Sequence, residues 1–437
     1  MTDWQKFTAI LIFLFTGMAS AMAAEIIRGE TVTTRPRPDY DAVGTRLGGF
    51  NLYPEATLEF MYDDNILAVE NDAPEIFDID DFVITLAPAI ALRSDWSKHA
   101  LNMGGRVSAG RYTETTSQDF TDYELWADGN LEFGRSLLGA RISHSHLHEL
   151  RTSANDERTV FPTEFDVDNV AVIYRYSPNR FYARGSLEFT NYDFDKTLRI
   201  PEFRPPNYND NDDRDRLVTD VRLRGGYLIS PSYSMFLEGR LYDFDYDQEK
   251  DRNEVNRDSD GYDILAGSDF DLSGVTSGEV FIGYRNIEYA DDAFETQDGP
   301  IFGASVDWNI TQLTTVTLLG SQRLYGTTVT VQESPGTIPP PDRVPASGIE
   351  TVELGIVANH ELRRNIILNL ELRGSNEEFL QTTREDDVVI FRLGGEYLLN
   401  RNWRLNAGYT YQKRDSNTTD GRDFRVNQIF LGFLGQL

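Results

Sequence analysis

From residue 51 onward the sequence falls into segments of roughly ten to fifteen residues in which apolar and polar side chains alternate. The connections between them alternate as strictly as the side chains do. Short ones (Ser94–Lys98, Gly134–Ser136, Ser177–Asn179, Ser230–Ser232, Ser273–Thr276, Thr311–Leu313, Glu361–Arg363 and Asn400–Asn402) take turns with long polar ones. The long ones cover residues 63–81, 113–119, 150–165, 195–213, 247–259, 290–299, 326–348, 375–386 and 413–423. Eight short and nine long connections require eighteen strands, and the even number leaves both chain ends on the short-turn side. Few architectures satisfy that pattern.

Each strand separates two solvents. Leu217, Thr219, Val221, Leu223, Gly225, Tyr227 and Ile229 lie on one face, with Asp220, Arg222, Arg224 and Gly226 on the other. Residues 302–310 and 403–411 repeat the division. After the N-terminus no run of eighteen apolar residues is available for a membrane helix, so a spanning structure has to be a closed sheet. The fold class read from this is all-β, a transmembrane antiparallel barrel of about eighteen strands with short periplasmic turns and long extracellular loops. The last strand fits export to an outer membrane, with Ile429, Leu431, Phe433, Gly435 and Leu437 on one face and an apolar final residue.

Three regions follow along the chain. Residues 1–23 read as a signal peptide, with Lys6, the apolar stretch 8–18 and the small-residue site Ala21-Met22-Ala23. Residues 24–50, which lack strand alternation and carry Arg35-Pro36-Arg37-Pro38, are read as a periplasmic N-terminal segment, either a tail or a plug, and as a candidate basic docking site for a periplasmic partner against the simpler reading of a flexible leader. Residues 51–437 form the barrel. The absence of cysteine removes disulfides and thiolate chemistry, and a formal charge of −30 argues against nucleic acid as a partner.

The first strand ends on Met61-Tyr62-Asp63-Asp64-Asn65, and Asn191–Asp195, Tyr242–Tyr246 and Glu288–Asp292 echo it. Tyrosine followed by acid suggests an interfacial aromatic girdle giving way to a charged surface. Asp63, Asp64, Asp193 and Asp195 are candidates for a divalent cation shared with lipopolysaccharide phosphates, against the simpler reading of a solvated loop entrance. With its Arg-Pro-Arg-Pro-x-Tyr-Asp lead-in, the stretch Val32–Ala68 resembles proteobacterial outer membrane β-barrel proteins of the putative porin type associated with exopolysaccharide and surface polysaccharide production. The resemblance implies a Gram-negative outer membrane protein working beside a periplasmic polysaccharide export protein, and it brings no catalytic residues.

Eighteen strands leave an aqueous lumen. Alternation places Arg106, Arg175, Arg184, Arg222, Arg224, Arg240, Arg285, Arg392, Arg404, Asp220, Glu238, Asp307 and Glu353 on its wall, joined by Trp126, Tyr182, Tyr242 and Phe281. These charges form either an ion-pair lattice that braces the wall or a track for an anionic sugar polymer. The aromatics either stack on sugar rings or fill space. His144 and His146 share a strand face near the outer rim and are the weak transition-metal candidates. Ser143 and Ser145 point the opposite way, which leaves no nucleophile–base pair and no enzymatic reading. No cofactor is called for. The function expected is passive export of exopolysaccharide across the outer membrane; the alternatives are a general diffusion porin for small hydrophilic solutes and a structural or adhesive surface barrel.

Overall fold

The computed structural model describes residues 28–70, 79–157, 159–198, 208–332, 343–418 and 423–437. Residues 1–23, read as the signal peptide, lie outside the described residues, as do Pro201, Pro205, Pro206, Pro335 and Pro339–Pro341 of the two proline-rich loops.

Eighteen antiparallel strands close into one barrel. They are β1 (Phe50–Asp63), β2 (Asp81–Ser94), β3 (Ala100–Tyr112), β4 (Phe120–Phe133), β5 (Ser136–His148) and β6 (Glu164–Tyr176). Next come β7 (Phe181–Phe194), β8 (Arg216–Ser230), β9 (Tyr233–Tyr246), β10 (Ser259–Leu272), β11 (Thr276–Tyr289) and β12 (Gln297–Thr311). The wall is completed by β13 (Thr314–Tyr325), β14 (Ile349–Arg363), β15 (Ile366–Phe379), β16 (Glu385–Leu398), β17 (Trp403–Ser416) and β18 (Phe424–Gln436). Each pairs with its neighbours in sequence, and β1 closes the ring against β18 with Glu55 opposite Gln436 and Asp63 opposite Gln428. Alternation decides the faces as expected: Val221, Leu223, Ile264, Ile282, Leu354 and Ile429 are exposed to the outside. Asp220, Asp263 and Glu371 are buried toward the lumen.

Two expectations are corrected. Residues 375–386 are not a long loop, because β15 continues to Phe379 and β16 begins at Glu385. Asn376, Glu377 and Glu378 hide this in the sequence: once a strand leaves the lipid, polar side chains suit both faces and the alternation disappears while the ladder continues. β17 likewise runs on to Ser416. The second correction concerns the tyrosine motifs. Tyr192, Tyr242 and Tyr246 face the lumen, where Arg216 stacks 4.5 Å from the Tyr192 ring centre and 5.7 Å from that of Tyr246. Their acidic neighbours Asp193, Asp243 and Asp245 face out. Tyrosine and acid are adjacent in these motifs, so they cannot share a strand face. Only in the first motif does the tyrosine, Tyr62, face outward. At the short-turn end exposed Phe133, Tyr176, Phe181, Trp308 and Trp403 supply the aromatic belt.

The end of β1 is a clasp. Asp64 accepts from both the backbone N–H and the side-chain amide of Asn427 at 2.6 Å, and its own N–H donates to the Asn427 carbonyl at 3.1 Å. Asp63 accepts from Gln428 Nε2 at 2.7 Å, and Asn65 Nδ2 donates to the Arg425 carbonyl at 3.0 Å. Three consecutive side chains therefore join the first strand to the last. These contacts give Asp63 and Asp64 a structural role at the seam of the barrel. Asp64→Ala removes two charge-assisted hydrogen bonds and is expected to cost about 1–3 kcal/mol. Denaturant unfolding in detergent micelles reads the loss, and an unchanged midpoint would remove the clasp from the account.

Candidate functional site

The lumen is where the described charged side chains concentrate, and the wall pairs them in a recurring way: one carboxylate serves two guanidinium groups. Asp220 accepts from Arg222 at 2.8 Å and Arg240 at 2.6 Å. Asp263 holds Arg285 at 2.8 Å with Arg240 3.7 Å away, and Glu124 joins Arg106 at 2.9 Å to Arg141 at 3.3 Å. Glu371 links Arg392, at 2.9 Å, to Arg373, which also reaches Glu353 at 3.4 Å. Arg404 meets Glu396 at 3.1 Å, Asp307 accepts from Thr317 at 2.6 Å, and Arg175 donates to Ser177 Oγ at 3.1 Å. Arg224 is bound by Glu238 at 2.5 Å and Glu279 at 3.0 Å. Twelve of the thirteen residues singled out from the sequence thus have partners on the inner wall, and the thirteenth, Arg184, stands opposite Arg175 and Arg224. Most are braced against one another.

The inner aromatics have a partner that sequence reasoning missed. Tyr182, Phe281, Tyr242 and Trp126 stand directly across the ladder from Gly226, Gly303, Gly261 and Gly104. Phe236 faces Gly267 and Phe430 faces Gly408 in the same way. A Cβ on Gly226 would lie 2.1 Å from Tyr182, and one on Gly303 would lie 2.2 Å from Phe281. Each ring thus lies flat on bare backbone, which lets it lean along the wall and spares the lumen its full length. The signal was present as glycines inside strands, but the pairing required the register.

Both mouths are occupied by chain. At the short-turn end residues 28–44 form a strap that follows the inner rim for half the circumference. Gly29 N–H donates to Asp271 at 2.5 Å, Val32 N–H to Thr315 at 2.9 Å, and Val32 is buried with Ile367 and Leu398. Arg35 and Arg37 both reach Glu361 at 3.2 Å, Arg401 donates to the Pro38 carbonyl at 2.8 Å, and Gly44 N–H bonds the Leu437 carbonyl. The two arginines considered for partner docking are engaged by the wall. At the long-loop end the segment between β5 and β6, described over residues 149–157 and 159–163, crosses the mouth. Asn155 accepts from Thr327 at 2.6 Å, Ala154 packs on the cluster of Ala346, Ile349 and Phe379, and Arg414 reaches the Ser153 carbonyl at 3.4 Å. β14 stands nine strands from β5, so this segment spans the barrel. Two arginines latch it: buried Arg214 to Glu149 at 2.9 and 3.1 Å, and Arg252, nearer the surface, to Glu157 at 2.8 Å. Beneath lies a cavity of about 270 Å³ bordered by Glu59, Asp122, Glu396, Arg404 and Gln428.

A closed eighteen-stranded wall, a charged lumen and a match of residues 37–437 to the family described as "Putative beta-barrel porin 2" belong together. The chain is a member of that porin family. It is a porin-like β-barrel of the outer membrane. No curated protein matches the sequence. Solved structures with a similar chain course include the ferric enterobactin receptor PfeA of Pseudomonas aeruginosa, at 8% identity and TM-score 0.44, over 91% of this chain and 82% of that one. OpdO of Pseudomonas aeruginosa aligns at 14% identity and TM-score 0.44, over 89% and 97%. The copper transporter OprC aligns at 10% identity and TM-score 0.46, over 90% and 81%.

The histidines of this porin barrel do not converge. His144 pairs with Asp168 at 2.8 Å and His146 with Asp166 at 2.7 Å, both across the β5–β6 ladder on the outer face. Among the described residues no group of three His, Asp or Glu side chains is placed to hold a metal ion. The Nδ1 of each ring faces its own partner on β6 instead.

The connection between β7 and β8, which carries the latch residue Arg214, ends on a carboxyl that titrates in an accessible range. Burial pushes Asp215 up to about 6, reinforced by Asp193, Asp212 and Asp247, although the Phe194 N–H donates to it at 2.7 Å. In the unfolded chain the same group titrates near pH ~4. Its favourable protonation in the folded state is fully present below about pH 4 and lost as pH rises through about 6, so stability falls across that window. Asp215→Asn is expected to flatten this part of a stability–pH curve measured in micelles. An unchanged slope would assign the dependence to other carboxyls.

Proposed function

We propose that this porin barrel is a gated conduit for export of an extracellular polysaccharide across the outer membrane of a Gram-negative bacterium, and that residues 1–23 are the signal that sends it there. The observation that carries the gated reading is the segment 149–163 lying across the mouth under the buried pair Arg214–Glu149, with the strap of residues 28–44 along the opposite rim. A general diffusion porin needs a standing aqueous path, and the latched lid weighs against that alternative. The polymer comes from the resemblance of residues 32–68 to barrels associated with exopolysaccharide production. A wall of paired charges suits such a cargo physically, since hydrated ion pairs offer hydroxyl groups many weak, exchangeable hydrogen bonds and no deep trap. No energy source is available at this membrane, so a periplasmic or inner-membrane partner drives transport.

Deleting the gene is expected to reduce extracellular polymer while polymer accumulates or synthesis stops inside the envelope. Unchanged polymer with slower uptake of small solutes would make the barrel a diffusion porin, and no change in either would assign it a structural or adhesive role. The gate is tested separately. Arg252→Ala releases the segment at Glu157, and with Arg214→Ala it is expected to raise conductance in planar bilayers several-fold. Equal conductance of wild type and variant would refute gating by this segment.

A further inference from the structure

Of the nine lumen arginines singled out from the sequence, Arg184 alone has no hydrogen-bond or ion-pair partner among the described residues. Its neighbours make this unusual. On β7 it stands directly opposite Arg175 of β6 on one side and Arg224 of β8 on the other, so three guanidinium groups occupy consecutive positions in one row across the wall. Side chains directly opposed in an antiparallel ladder sit about 5 Å apart at Cβ, and like charges there are destabilising.

Elsewhere the wall removes this conflict. Arg222 and Arg240 are also directly opposed, but Asp220 lies between them and bonds both. Among the described residues no carboxylate plays that part for Arg184. Glu238 and Glu279 are bound on the far side of Arg224, and Asp269 lies 3.6 Å from the same guanidinium group and 3.4 Å from Arg28 of the strap. Glu188, two positions along β7 on the same face, accepts from Asn169 at 2.8 Å. Arg175 is turned to Ser177 Oγ. Arg184 is half-buried and open to the lumen, with its hydrogen-bond donors unspent. The row lies just inside the short periplasmic turn of residues 177–180, on the side where cargo would enter.

We propose that Arg184, flanked by Arg175 and Arg224, is an oxyanion-binding site at the periplasmic entrance of the lumen, and that its ligand is an acidic substituent (carboxylate, sulfate or phosphate) on the exported sugar chain. An oxyanion placed there does for Arg184 what Asp220 does for Arg222 and Arg240. Guanidinium groups suit the task because their planar donors match an oxyanion in pairs. The wider protein is strongly acidic, so this row gives a polyanion a local place to bind inside an otherwise repelling molecule. That the anion is borne by a transported polymer rests on the export reading above; the site itself does not.

The test uses the purified full chain in detergent micelles at low salt, with calorimetric titration of tetragalacturonate, maltotetraose and inorganic phosphate. Tetragalacturonate is expected to bind the wild type and to bind Arg184→Gln at least tenfold more weakly, with Arg184→Lys retaining most of the affinity. Maltotetraose is expected to be indifferent to the substitutions. Arg184→Gln removes a like-charge contact, so it should fold at least as stably as the wild type by thermal unfolding. Phosphate binding with the same dependence on Arg184, without tetragalacturonate binding, would keep the oxyanion site and overturn the sugar-borne source. Equal binding of tetragalacturonate to wild type and Arg184→Gln, or no binding of either anion, would overturn the site. Because binding is read on purified protein, its outcome is independent of whether gene deletion alters polymer export.

Discussion

Backbone hydrogen bonding without water governs this molecule. A peptide group facing hydrocarbon has no solvent partner, so a sheet that crosses the membrane is stable only when its last strand bonds its first. That junction is the one place in the wall where sequence neighbours cannot bring the strands together, and Asp63, Asp64 and Asn65 add side-chain bonds there to Gln428, Asn427 and the Arg425 backbone. The acidic end of β1 therefore serves closure.

Closure creates an interior that must then be managed. Side chains too polar for lipid collect inside, where isolated charges would be costly, and the wall responds with carboxylates shared between two arginines. It also limits how far the large rings reach inward, because each lies across a glycine of the next strand. The two devices are complementary: ion pairs brace the lumen wall, and the ring–glycine contacts keep space within it. Arg184 stands out because it belongs to neither.

The mouths follow a different logic from the wall. Strap and lid have no ladder to obey, so specific side-chain contacts hold them, and the lid relies on buried pairs such as Arg214–Glu149. Buried pairs are a suitable latch for something meant to open. Their attraction is largely offset by the cost of removing two charges from water, so a closed lid is well defined in position without being deeply stable.

The architecture was legible because membrane and water impose a period of two on every spanning strand and a length rule on every connection. Strand number, the inward set of charges and the lipid-facing set of aliphatics all follow from that local rule. It fails where the two faces cease to differ, which is why β15 and β16 extend through residues once read as loop, and why the tyrosines of the later motifs, read as an interfacial girdle, turn out to face the lumen. Contacts between strands distant in sequence were beyond its reach, since nothing in a single strand states its partner's register. The clasp between Asp64 and Asn427, the rings over glycines, the engagement of Arg35 and Arg37 by Glu361, and the crossing of the mouth by residues 149–163 are all of this kind. The sequence by itself determined that the chain must be a barrel and which side chains face its lumen; only closure of the ring decided which of them meet, because partnership across the wall is set by register and curvature.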